Sequence, residues 1–100
     1  MTIQVLQTET FRKWLSTLKD KQAARAIVMR LTRAEAGNLG DVKSVGQGIS
    51  EMRIFTGKGY RLYFTKKSGR IVILLCGGNK ATQARDIVTA RNLATMEYEL

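Results

Sequence analysis

The sequence predicts one α+β domain, a helical hairpin packed on a small antiparallel sheet with a further helix at the C-terminal end. The order is β-α-α-β-β-β-α, and a chain of 100 residues is the size of one domain. Three observations carry the prediction. All nine glycines fall between residues 37 and 78 and there is no proline, so glycine-free ends flank a turn-rich centre. The first third carries apolar residues at helical spacing, whereas the centre alternates with a period of two.

Ile3 and Val5 alternate with Gln4 as a short first strand. Thr8 or Thr10 then offers a hydroxyl to the free N–H groups of a helix, whose stripe is Phe11, Trp14, Leu15 and Leu18. Asp20 caps a second helix with the stripe Ala24, Ile27, Val28 and Leu31, ending at Gly37-Asn38. Strand candidates follow at Asp41–Gln47 and, more strongly, Ile49–Phe55. Gly57-Lys58-Gly59 turns the chain into Tyr60–Lys66, and Ser68-Gly69 turns it again into Arg70–Cys76, with Gly77-Gly78 read as its end. Ile71–Cys76 is apolar on both faces, as a central strand covered on both sides would be. The stretch from Thr82 to Glu97 reads as the last helix, with a thin stripe of Ala84, Ile87, Ala90 and Ala94.

Composition narrows the function. An apolar fraction of 44% with 25% charged residues is ordinary globular usage and excludes disorder. The longest apolar run, Ile71 to Cys76, is too short to span a bilayer, and no signal-peptide pattern opens the chain, so no membrane partner is expected. The one cysteine makes no internal disulfide, which points to the cytoplasm. The absence of histidine removes imidazole catalysis and the commonest zinc ligand together, so neither a metal site nor a cofactor is expected.

Charge is the unusual number. Seventeen Lys and Arg against eight Asp and Glu leave +9, with a pI near 10.2. Residues 1–41 carry +3, residues 42–85 carry +8 and residues 86–100 carry −2, so the sheet segment holds most of it. A polyanionic partner follows.

Strand parity gives that charge a face. Met52 and Ile54 point one way and Glu51 and Arg53 the other; Tyr60, Leu62 and Phe64 oppose Arg61 and Tyr63. With the apolar sets against the hairpin, Glu51, Arg53, Arg61 and Tyr63 line an open face, with Lys58 in the joining turn and Lys80 beyond the next strand. Arginines fork onto phosphate oxygens, tyrosines stack on bases, and a Gly-Gly-Asn-Lys turn presents N–H groups and an ammonium to an anion. RNA cleavage through the 2′-hydroxyl needs a base, a charge stabiliser and an acid, for which Glu51, the arginines and a desolvated Lys80 are candidates. The same residues also read as a solvated cross-strand charge pair and a plain strand-to-helix turn.

The chain resembles the RelE/ParE superfamily of bacterial type II toxins, in its HigB-like addiction-module killer branch. The likeness runs through F-R-K-W-L-S-T-L-K-D at 11–20, R-x-x-x-G-N-x-G-D at 33–41 and E-M-R-I-F at 51–55. It continues in G-K-G-Y-R-L-Y-F at 57–64 and L-L-C-G-G-N-K-A-T-Q-A-R-D-I at 74–87. The resemblance implies a RelE-like fold and a metal-independent endoribonuclease that cuts mRNA in the ribosomal A site, with Arg53, Arg61 and Lys80 catalytic and Glu51 beside them. Lys58, Tyr60, Tyr63, Asn79, Gln83 and Lys43 are then the expected RNA contacts. Glu51 stands where some relatives carry lysine, although other branches use a glutamate base, and no tyrosine or histidine follows Lys80 near the helix start. The resemblance also implies a cognate antitoxin, a helix-turn-helix protein of the HigA-like kind. The basic hairpin residues Lys13, Lys19, Lys21, Arg25, Arg30 and Arg33 would face ribosomal RNA. A ParE-like inhibitor of DNA gyrase, or an RNA-binding module without chemistry, is the alternative.

Overall fold

A computed structural model describes residues 2–96. The elements are β1 (Gln4–Gln7), α1 (Glu9–Thr17), α2 (Lys21–Glu35), β2 (Val42–Gly46), β3 (Ile49–Ile54), β4 (Tyr60–Lys67), β5 (Ile71–Asn79), a single 3-10 turn (Lys80–Thr82) and α3 (Gln83–Thr95). The expected helix end at Glu97 lies outside the described residues.

The five strands lie in the order β1-β5-β4-β3-β2. The pairs from β2 to β5 form an antiparallel meander, as the glycine turns predict, and β1 adds parallel to β5. That places β5 inside the sheet, where an apolar strand belongs. The hairpin covers one face. Phe11, Ala23, Ile27, Leu31 and Ala34 pack there against Met52, Ile54, Leu62, Phe64, Val72 and Leu74. The stripe of α2 is rotated from the expected one: Ala23 and Ala34 are buried, while Val28 is 51% exposed.

The caps follow the sequence closely. Thr8, not Thr10, starts α1: its oxygen accepts from Phe11 N–H at 3.1 Å and its hydroxyl donates to the Leu75 carbonyl at 2.6 Å, fastening the helix to β5. Asp20 accepts from Ala23 N–H at 3.0 Å. At the far end of α2, Gly37 N–H donates to the Ala34 carbonyl and Asn38 N–H to that of Arg33, the paired bonds of a Schellman ending.

Helix α3 covers the other face, so the open face expected there is largely closed. Ala90 and Leu93 pack on Ile49, Tyr63, Ile73, Leu75 and Cys76, with Ile87 and Ala94 at the margin. Ala84, expected in the stripe, is exposed, and Asp86 is buried instead. A bulge between Tyr63 and Phe64 on β4 leaves Leu75 of β5 without a direct partner, which turns Leu75 and Cys76 to the same side.

Gly77 and Gly78 do not end β5. The strand runs on to Asn79, and the glycines serve close packing: a Cβ on Gly77 would lie 2.4 Å from Trp14 Cζ3, and one on Gly78 would collide with the Asp86 carboxylate.

Candidate functional site

Parity places Glu51, Arg53, Arg61 and Tyr63 on one side of β3 and β4, and the register sets Arg53 directly opposite Arg61. Two facing cations repel, and each is drawn to its own carboxylate. Arg53 Nη2 donates to Asp41 Oδ1 at 3.0 Å, and Arg61 Nε lies 3.4 Å from Glu51 Oε2 in an ion pair without hydrogen-bond geometry. The hydrogen bond and charge of Asp41 hold the Arg53 guanidinium above its usual pKa.

The two arginines open onto a groove of about 250 Å³ at the β3–β4 end of the sheet. Lys58 reaches it from the turn and Lys80 from the start of the 3-10 segment, so four cations from four places converge on it. No carboxylate is among its lining residues. Asp41 and Glu51 offset the two arginines from outside the lining, and Lys58 and Lys80 leave the concavity with a net positive field.

Glu51 does not line the groove. It is 2% exposed, buried beneath Arg61, and its Oε2 also accepts from Gln83 Nε2 at 3.1 Å. A carboxylate so enclosed is stable only while paired, and the contacts it makes fix the Arg61 side chain. Gln83, expected to touch RNA, is spent on this bond.

Neither tyrosine is an open stacking platform. Tyr63 is fully buried against α3, and burial first, then the charge of Glu51, pushes its phenol far above the usual range. Tyr60 is 4% exposed and tilts against Trp14, with ring centroids 6.3 Å apart, although its edge reaches the groove. The Asn79 side chain accepts from Ala81 N–H at 2.8 Å as a helix cap. Lys43 is exposed on the edge strand β2, opposite Glu51 in register, and does not line the groove. Lys80 is exposed too, without the burial that a desolvated acid requires. In the hairpin, Arg30 is tied inward, donating to the carbonyls of Arg53 at 2.6 Å and Leu39 at 3.0 Å. Lys13 pairs with Glu9 along its own helix at 3.1 Å.

The groove also has an aromatic wall that parity alone does not single out. Phe55, immediately after β3, is 79% exposed at the groove wall. Its signal was an apolar residue following Glu51 and Arg53 in the parity of the charged side.

The fold and groove together define a small RelE-type toxin fold bearing a cationic recess at one end of its sheet. A variant of the Escherichia coli toxin RelE in the free state superposes with a TM-score of 0.73 at 14% identity, over 96% of this chain and 100% of that one. A chain of the toxin-antitoxin complex RelBE2 from Mycobacterium tuberculosis matches with a TM-score of 0.65 at 21% identity, over 80% of this chain and 100% of its own. The family described as Phage derived protein Gp49-like (DUF891) matches residues 13–95, and the chain belongs to it. An uncharacterized protein of Haemophilus influenzae is 52% identical over 94 residues, covering 94% of this chain and 95% of that protein. Among the described residues no helix is long and apolar enough to cross a membrane, and no three His, Cys, Asp or Glu side chains are grouped to hold a metal ion.

Proposed function

We propose that this protein is the toxin of a toxin-antitoxin pair, of the HigB-like kind, that cleaves mRNA in the ribosomal A site without a metal ion. The observation that carries the reading is the convergence of Arg53, Lys58, Arg61 and Lys80 on one groove free of carboxylates. The structural likeness to a toxin and to a toxin-antitoxin complex supports the same role and a cognate antitoxin, here expected to be a helix-turn-helix protein of the cytoplasm.

The chemistry follows from what is open to substrate. Attack of the 2′-oxygen, whose proton passes to solvent water, forms a new bond to phosphorus, breaks the bond to the 5′-oxygen and passes through a phosphorane of high negative charge. Arg61, held by Glu51, and Arg53, held by Asp41, present planar donors to its non-bridging oxygens. The exposed Lys80 ammonium stabilises charge on the departing 5′-oxygen, which takes its proton from water, and Lys58 binds the neighbouring phosphate. With Glu51 enclosed, catalysis rests on charge stabilisation more than on a carboxylate base.

The test is induction of the isolated gene followed by mapping of mRNA 5′ ends in translated and untranslated transcripts. Cuts within codons that disappear when translation is blocked are expected. Intact mRNA with a DNA-damage response would overturn the reading in favour of gyrase inhibition, and absence of growth arrest would leave an RNA-binding module.

A further inference from the structure

Beyond Lys58 and Tyr60, which it shares with the cationic groove, lies a second recess of about 480 Å³ between the end of α1 and the start of α3. Its character is different. The Trp14 ring rests on the backbone of Gly77 and is backed at 59° by the buried Tyr60 ring, so one wall is the half-buried indole and part of the floor has no side chains. Lys19, Lys58 and Arg85 stand exposed around it. Two carboxylates, Asp20 and Asp86, also line it. Each is fixed by the fold: Asp20 Oδ1 accepts from Ala23 N–H at 3.0 Å, and Asp86 Oδ2 accepts from the Thr82 hydroxyl at 2.5 Å while its Oδ1 lies 3.9 Å from Arg85 Nε in a loose ion pair.

Carboxylates disfavour phosphate inside this recess, whereas an aromatic wall with fixed acceptors and a basic rim matches a nucleotide lying base-inward. Aromatic surface takes the π-face of any base. Carboxylate oxygens accept from exocyclic amino groups, as they do from the N4 amino group of cytosine. We propose that this recess receives the base adjoining the phosphate held in the cationic groove, and that it favours adenine, cytosine or guanine over uracil. The inference rests on the RNA-cleaving reading, with Lys58 as the cation between phosphate site and base site.

Trp14 is the sole tryptophan, so its emission reports occupancy directly. The probe is a fluorescein-labelled, 2′-O-methylated hexaribonucleotide, which binds without being cut. The full chain is titrated with it, reading label anisotropy and Trp14 emission in parallel. A saturable change in Trp14 emission is expected at the same midpoint as the anisotropy, smaller for a uridine homopolymer than for a cytidine one. The Lys19→Glu, Arg85→Glu double variant, altered only at exposed positions, is expected to bind about tenfold more weakly. Saturating anisotropy with unchanged Trp14 emission overturns the base site and leaves RNA binding standing. Equal signals from uridine and cytidine homopolymers overturn the carboxylate readout. Absence of any anisotropy change overturns both this inference and the RNA-cleaving reading beneath it.

Discussion

Arg61 lies over the buried carboxylate of Glu51, Nε to Oε2 3.4 Å, and the Glu51 side chain is 2% exposed while the Arg61 side chain is 16% exposed. The pair is therefore asymmetric: one partner is enclosed and the other reaches the groove. Removing the outer cation strands the inner charge. Arg61→Ala is expected to abolish toxicity and to cost about 3 kcal/mol of stability, the typical loss when a buried pair is broken from one side. The Glu51→Ala, Arg61→Ala double variant is expected to recover part of that stability in urea unfolding and none of the growth arrest. A double variant destabilised by the sum of what Glu51→Ala and Arg61→Ala each cost would show that the two side chains are not coupled.

What was legible in the sequence follows from what periodicity encodes. Parity correctly put Glu51, Arg53, Arg61 and Tyr63 on one side because a strand admits only two sides. It carries no information about what covers a side. The stripe expected for the last helix was mostly alanine, and the residues through which α3 seals this face include Asp86 and Leu93, outside that stripe. Parity alone therefore leaves Tyr63 open, whereas α3 buries it fully. Gly77-Gly78 failed for a related reason: glycine marks a turn and a close approach with the same letter, and only the position of Trp14 distinguishes them. Phe55 is legible only through parity, as an apolar residue in step with Glu51 and Arg53 at the end of its strand.

The packing of Trp14 on Gly77 gives a direct check. An alanine there places its Cβ 2.4 Å from Trp14 Cζ3, with the two nearest neighbouring contacts also on the indole ring. The ring must move, and overpacking of this kind typically costs 1–3 kcal/mol, so about 2 kcal/mol is expected for Gly77→Ala. Displacement of the indole from its seat should also shift Trp14 emission toward the red in the folded protein. Unchanged emission and stability would mean that the indole does not rest on this backbone.

Cys76 supplies a prediction in pH. Its thiol donates to the Asp86 carbonyl at 3.4 Å, and burial first, then the Asp86 charge, pushes its pKa up to about 12 from 9.0. A raised folded-state pKa means the native protein holds the proton that the unfolded chain gives up. The associated stability is complete below pH 9.0 and is lost as pH climbs toward about 12. Tyr63, shifted in the same direction, adds to the loss at the alkaline end. Native protein at pH 8 should therefore resist iodoacetamide, with alkylation appearing only as denaturant unfolds it, and urea midpoints should fall above pH 9. Rapid alkylation of the native protein would contradict the enclosed thiol.

The cationic groove makes a quantitative claim about salt. Phosphates neutralised by Arg53, Lys58, Arg61 and Lys80 release counterions, and each contact to single-stranded RNA contributes about −0.7 to the slope of log K against log salt. Four contacts give a slope of about −3. Lys58 and Lys80 are exposed, so replacing either with alanine should change stability by no more than about 0.5 kcal/mol. Each replacement should nevertheless flatten the slope by about 0.7, and the double variant by about twice that. Lys43 is equally exposed but lies outside the groove, so Lys43→Ala should leave the slope unchanged. A binding curve whose salt dependence falls equally for Lys43, Lys58 and Lys80 would mean that RNA reads the overall charge of +9 rather than this groove.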